Sequence, residues 1–106
     1  MPHLTTHILD ATAGTPASGV AVTLVDADGT IVDSGETDLD GRLGLGPDRL
    51  PAGSYALRFA TGAYFAASGT ETFYPRVEIA FEVADAPHYH VPLLLSPFAY
   101  STYRGS

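Results

Sequence analysis

His88-Tyr-His-Val-Pro-Leu-Leu-Leu-Ser-Pro-Phe-Ala-Tyr-Ser-Thr-Tyr-Arg-Gly-Ser106 is the stretch whose reading decides the fold. It predicts two strands, the first apolar on both faces apart from two histidines. Tyr89, Val91, Leu93 and Leu95 alternate onto one face, and His88, His90, Pro92 and Leu94 onto the other. A core accounts for one apolar face. The second needs a different cover, and it carries an imidazole. That combination, running into Tyr-Arg-Gly-Ser, points to a site built at a subunit interface.

Upstream, the same period-two pattern recurs. Val77, Ile79, Phe81 and Val83 alternate with Arg76, Glu78, Ala80 and Glu82. Tyr55, Leu57 and Phe59 alternate with Ala56 and Arg58. Val20–Val25 and Thr30–Thr37 form a hairpin around Asp26-Ala-Asp-Gly29, and Leu4–Asp10 supplies a first strand. A short strand, Arg42–Leu45, follows the turn Asp38-Leu-Asp-Gly41. The only helical candidate is Gly62–Ser68, with Thr61 as its cap and Gly69 as its stop. Seven or eight short strands with frequent turns predict an all-β, two-layer sandwich.

Length allows one domain, residues 1–106, with a single core. At 45% hydrophobic and 16% charged, the composition is slightly apolar for a small soluble protein, which favours oligomerisation. The formal charge of −7 argues against nucleic acid or an anionic membrane as a partner. There is no cysteine, hence neither a disulfide framework nor a thiol nucleophile. The first residues lack the pattern of a secretory signal, and no run of about eighteen apolar residues suggests a membrane span. A cytoplasmic protein is expected.

Three of the four histidines and one arginine are the candidates for chemistry. His7 shares a strand face with Thr5 and Leu9, opposite Thr6 and Ile8, so it is either a surface histidine or a site residue. His88-x-His90 puts two imidazoles on one face, a legitimate metal-ligand spacing with His7 as a third ligand. A metal-free acid–base role for His90 fits the same residues. Arg42 is either a solvated turn arginine or a local cation on an acidic surface. Asp38-x-Asp40-Gly41 and Asp26-x-Asp28-Gly29 lack the later ligands of a calcium loop and read as turn chemistry. The tail from Ser101 to Ser106 either frays or stays paired and projects Tyr103 and Arg104 into a cleft.

Three blocks carry a resemblance that spans nearly the whole chain. They are Leu4-Thr-Thr-His-Ile-Leu-Asp10 with Gly14-Thr-Pro-Ala-Ser-Gly-Val-Ala-Val22; Thr37-Asp-Leu-Asp-Gly-Arg42; and Phe73–Phe81 with His88–Pro97 and Tyr100–Ser106. In these the chain resembles the transthyretin-related 5-hydroxyisourate hydrolase family. Its Tyr-Arg-Gly-Ser ending separates the hydrolases from the hormone-carrying transthyretins. Ala99 and Asp38 depart from the usual glycine and asparagine.

The resemblance implies a transthyretin-like sandwich of two four-stranded sheets with one short helix. It further implies a homotetramer with sites in a channel between dimers. The implied reaction is hydrolysis of 5-hydroxyisourate in urate catabolism, without metal or cofactor. Catalytic positions match His7, Arg42 and His90, with substrate contacts at His7, Arg42, Tyr103 and Ser106. His3 and His88 are left outside the catalytic set, and Arg104 joins Arg42 in attracting an acidic purine derivative. The competing expectations are a carrier of small aromatic ligands, a zinc hydrolase using His7, His88 and His90, and a monomeric β-sandwich interaction module.

Overall fold

The structure is a computed structural model that describes residues 2–106. Its described elements run β1 (Leu4–Asp10), β2 (Thr15–Pro16), β3 (Ala21–Asp26), β4 (Ile31–Glu36), β5 (Arg42–Leu45) and β6 (Gly53–Phe59). Then come α1 (Thr61–Ala67), β7 (Val77–Val83), β8 (Tyr89–Ser96) and β9 (Ala99–Thr102). One sheet has the order β2-β1-β8-β9, with β5 also paired to β1; the other has the order β4-β3-β6-β7. The expected two-sheet sandwich with one helix is what forms. Its first sheet counts five strands rather than four because the two-residue β2 pairs with the end of β1, Leu9 opposite Pro16.

Alternation assigns the faces as the sequence predicts. Along β1, Leu4, Thr6, Ile8 and Asp10 are buried, while Thr5 and His7 are half-buried and Leu9 is exposed. On β8, Tyr89, Val91, Leu93 and Leu95 enter the core with Leu24, Leu57 and Phe59 from the facing sheet. Burying each such side chain contributes about 1.5–3 kcal/mol. Pro92 departs from expectation: it is buried within the single chain, although it lies on the outward face. Its neighbour on that face, Leu94, is 36% exposed.

The decisive connection is the parallel pairing of β1 with β8, which sets Thr5 opposite His90, His7 opposite Pro92 and Ile8 opposite Leu93. On the other side of β1, β5 runs antiparallel with His7 opposite Arg42. The Thr6 hydroxyl, facing the core, donates to the Val91 carbonyl at 2.6 Å and needs no other partner.

The helix corrects one expectation. Ala60, not Thr61, is the N-cap, and no side chain caps the first turn. Thr61 lies inside the helix, where its hydroxyl is buried without a partner among the described residues. A seven-residue helix of this kind depends on packing rather than propensity. Phe65 is buried, and the Tyr64 hydroxyl donates to Asp10 Oδ2 at 2.9 Å, tying the helix to β1. Burial first, then the hydrogen bond to Asp10 and its charge, push the Tyr64 hydroxyl up to about 12. Asp10 Oδ1 in turn accepts the Thr12 and Ala13 amides, each at 3.0 Å.

Both Asp-x-Asp-Gly segments are turns closed by their own carboxylates. Asp26 Oδ1 accepts from the Asp28 and Thr30 amides, and Asp38 Oδ1 from the Asp40 and Arg42 amides. The second turn also needs Gly41. Its φ is +74°, and a Cβ there would collide with the Ile8 carbonyl oxygen, to which the turn is pressed. Gly41→Ala should therefore cost more than the roughly 1–2 kcal/mol of a left-handed residue alone. Urea unfolding should show a lowered midpoint; a midpoint equal to the parent's would contradict this account of the turn.

Candidate active site

Register builds the site before any side-chain detail. On the outward face of the first sheet, one row across the strands reads Gly44, Thr5, His90, Gly105, and the next reads Arg42, His7, Pro92. Thr5 and His7 are two apart on β1, so they project together; the same holds for Arg42 and Gly44 on β5. An open cleft of about 300 Å³ lies over these rows, with Thr5, Asp38, Arg42, His88, His90 and Ser106 among its walls.

His90 sits at its centre. Its Nδ1 is 2.8 Å from Thr5 Oγ1, and the same hydroxyl is 2.9 Å from His88 Nε2. The two imidazoles lie nearly parallel, 6.3 Å apart between ring centres. Partial burial is the main influence holding the His90 pKa below its ordinary 6.5, followed by the charges of His88, Arg42 and His7. A hydrogen bond to the Thr5 backbone opposes them. The net result favours a neutral imidazole, the form able to accept a proton.

His7 stands next to this group. Its Nε2 bonds the Asp40 carbonyl at 2.9 Å, so the turn that aims Arg42 also holds His7. His88 and His90 share the Thr5 hydroxyl while His7 faces Asp40, so the three rings do not converge on one point. Among the described residues no group of three or more His, Cys, Asp or Glu side chains is arranged to hold a metal ion.

The tail is paired rather than frayed. β9 runs antiparallel to β8, and beyond it the Gly105 amide donates to the His90 carbonyl at 2.9 Å. A Cβ on Gly105 would strike the His90 ring, so only glycine lets the tail lie this close. Ser106 thereby reaches the cleft. Tyr103 does not reach it within one chain. It is 58% exposed and borders a second cavity of about 290 Å³ between β7 and the tail. Arg104 turns the same way, its guanidinium 5.0 Å from the centre of the Tyr89 ring. Of the residues predicted to act, His90, Arg42 and Ser106 share the cleft, His7 adjoins it, and Tyr103 lies apart.

Two neighbours escaped the sequence reading. Thr5 was legible only as a residue on the His7 face; nothing local indicates that its hydroxyl joins two histidines from β8 and the segment before it. His88, set aside on sequence, lies in the cleft wall. His3, also set aside, has a structural part. It is buried, its Nδ1 accepts the Leu50 amide at 2.9 Å, and its Nε2 faces the Ala86 carbonyl at 2.7 Å.

Comparison with known proteins accords with this geometry. Residues 4–105 match the family model described as "HIUase/Transthyretin family". A 5-hydroxyisourate hydrolase of Ralstonia nicotianae is 45% identical, with all of both chains covered. The structure of Klebsiella pneumoniae 5-hydroxyisourate hydrolase superposes with a TM-score of 0.91 at 44% identity, covering 97% of this chain and 98% of that one. Sea bream transthyretin in complex with thyroxine gives 0.89 at 37% identity, covering 97% and 94%. With a match over almost its full length, and with the His7, Arg42 and His90 rows set on one sheet face, the chain belongs to the HIUase/transthyretin family.

Proposed function

We propose that this chain is a 5-hydroxyisourate hydrolase of purine catabolism, opening the substrate's ring at N1–C6 to give 2-oxo-4-hydroxy-4-carboxy-5-ureidoimidazoline. The observation that carries the reading is the cleft over the Thr5–His90 row. It holds an imidazole biased toward its neutral form, a guanidinium and the end of a tail that glycine alone can bring so close. Neutral His90 accepts the proton of an attacking water, and Arg42 stabilises the oxygen on which negative charge develops. His7, held by Asp40, orients the substrate from the neighbouring row. Ser106 gives a polar contact at the wall. The chemistry requires no metal or other cofactor, and the reacting partner is a small molecule rather than nucleic acid or membrane. No described helix is long and apolar enough to cross a membrane. The lack of cysteine fits a cytoplasmic setting.

The rival reading is a ligand carrier, since the relatives include a transthyretin with bound thyroxine. The cleft speaks against it. Desolvating His90, Arg42 and the Thr5 hydroxyl under an apolar ligand would cost free energy that such a ligand cannot return.

What the single chain leaves open supports a homotetramer. β7 and β9 end their sheets, so their outer backbone groups lack sheet partners. Around them Phe98 is 61% exposed, Tyr100 41% and Tyr103 58%. Pairing of these edges between copies would cover the rings, and the outward face with His90 and Leu94 would then meet its counterpart across a channel. In that assembly Tyr103 can border a site on another copy. Sedimentation equilibrium should give a mass of four chains; a monomer at micromolar concentration would remove the channel.

The activity is tested by following the absorbance of freshly generated 5-hydroxyisourate as it decays. Purified protein should accelerate the decay. His90→Asn and Arg42→Gln should each lower kcat by about 10²–10⁴-fold, the range for a lost acid–base or charge-stabilising group. Equal decay with and without the parent protein would end the hydrolase reading.

The acid limb of the pH profile has a defined sign. His90 acts neutral, and its surroundings disfavour protonation, so kcat/KM should hold as the pH falls past 6.5 and decline only below it. Arg42→Gln removes one of the charges that oppose protonation, so its weaker activity should fall away at a higher pH than the parent's. An acid limb above 6.5 in the parent would show that another group controls the reaction.

A further inference from the structure

We propose that Thr5 and His88 form a proton relay that connects His90 to bulk water, so that His90 transfers protons in turnover without becoming charged. This inference rests on the hydrolase reading and adds to it a path and two positioning residues. It begins from a counting constraint. The Thr5 hydroxyl has one proton and lies within hydrogen-bond distance of two ring nitrogens, His90 Nδ1 at 2.8 Å and His88 Nε2 at 2.9 Å. It can donate to only one of them, and it must accept from the other for both contacts to be satisfied. The tautomers of the two histidines are therefore coupled. When His90 carries its proton on Nδ1, its Nε2 is free to act as a base, the Thr5 hydroxyl donates to His88 Nε2, and His88 carries its proton on Nδ1. His88 is exposed and its ring reaches solvent, whereas His90 is half-buried.

Each half of hydrolysis then uses the array in one direction. In the first half, water oxygen bonds to the substrate carbonyl carbon and the carbonyl pair moves onto oxygen, facing Arg42. The water proton goes to His90 Nε2, the His90 Nδ1 proton to Thr5 Oγ1, the Thr5 proton to His88 Nε2, and the His88 Nδ1 proton to solvent. In the second half, the oxygen pair re-forms the carbonyl and the C–N bond breaks with its pair on nitrogen. That nitrogen takes the His90 Nε2 proton. His90 Nδ1 is refilled from Thr5, Thr5 from His88 Nε2, and His88 Nδ1 from solvent. One proton leaves and one returns, and the starting tautomers are restored.

The surroundings give the relay its purpose. The groups whose electrostatic influence disfavours charge on His90 come from three elements: Arg42 on β5, His7 on β1, and His88 just before β8; Asp38 is the carboxylate at the cleft wall. Half-buried beside the Arg42 guanidinium, an imidazolium at His90 is costly, and passing the proton along to a neutral His88, which releases its own to solvent, avoids forming one.

The test uses the full-length protein and 5-hydroxyisourate in weakly buffered solution. Thr5→Val keeps the shape and removes the hydroxyl, Thr5→Ser restores the hydroxyl, and His88→Gln keeps a polar exposed side chain that cannot relay. In Thr5→Val and His88→Gln, kcat should fall about tenfold or more with KM within about twofold, and added imidazole should restore kcat of His88→Gln in a saturable manner. Thr5→Ser should stay within about threefold of the parent. In the free protein, nitrogen-15 spectra of the histidine rings should give Nδ1-protonated tautomers for both His88 and His90, and Thr5→Val should unlink them. His88→Gln turning over at the parent rate, or a loss that imidazole does not restore, overturns the relay. Failure of the parent protein itself to accelerate substrate decay is a different outcome and overturns the hydrolase reading beneath it.

Discussion

The parallel pairing of β1 with β8 is the constraint from which the rest of this molecule follows. It joins Thr5 to His90, 85 positions away along the chain, and the same register puts Ile8 beside Leu93 inside the core. Because side chains alternate with period two, a slip of one residue would turn Ile8 and Leu4 to solvent and drive Thr5 and His7 into the apolar interior. Core packing thus fixes the outward row as firmly as it fixes the inward one. The alignment of Thr5 with His90 is stabilised by burial on the opposite face of the same strands, not by the polar contact itself. Rigid strands are suited to such a site, since small errors of placement cost proton transfer dearly.

Charge is distributed against the average of the chain. The net is −7, yet Arg42 and three histidines gather on one sheet face. Against that acidic background the Arg42 guanidinium is a local positive charge at the cleft. The same gathering lowers the proton affinity of His90. In the proposed hydrolysis, the groups that bind the substrate would thus also keep the His90 imidazole neutral.

Much of the fold was legible because alternation is a local property. Val77–Val83, Tyr55–Phe59 and Leu4–Asp10 announce their faces within a few residues, and Asp38 and Asp26 announce turns through carboxylates that bond their own backbone. The two-faced Tyr89–Ser96 strand was likewise readable, and it occupies an interior position between β1 and β9. What no local pattern carries is the partner of each strand. Parallel pairing of first and penultimate strands depends on the global closure of the sandwich, and the Thr5 bridge to His88 and His90 depends on that pairing. Thr61 was misread as a cap because its type fits a helix start, whereas backbone geometry places the start at Ala60. Pro92 looked like a residue awaiting a partner subunit, yet the chain buries it alone.

The tail bears on how one fold can serve both carriers and hydrolases. A sandwich with an exposed apolar channel can hold a ligand, and nothing in its core distinguishes the two uses. On the reading proposed above, the distinction would lie where the chain returns to the sheet. Here the Gly105 amide bonds the carbonyl of His90, so the backbone of His90 anchors the segment that walls its side chain. A Cβ at position 105 would press on the imidazole whose Nδ1 contacts Thr5. A carrier is free to relax this position, because a passively held ligand makes no demand on the angle of a ring. A proton acceptor, the role proposed for His90, does make that demand, and the close Gly105–His90 contact would meet it.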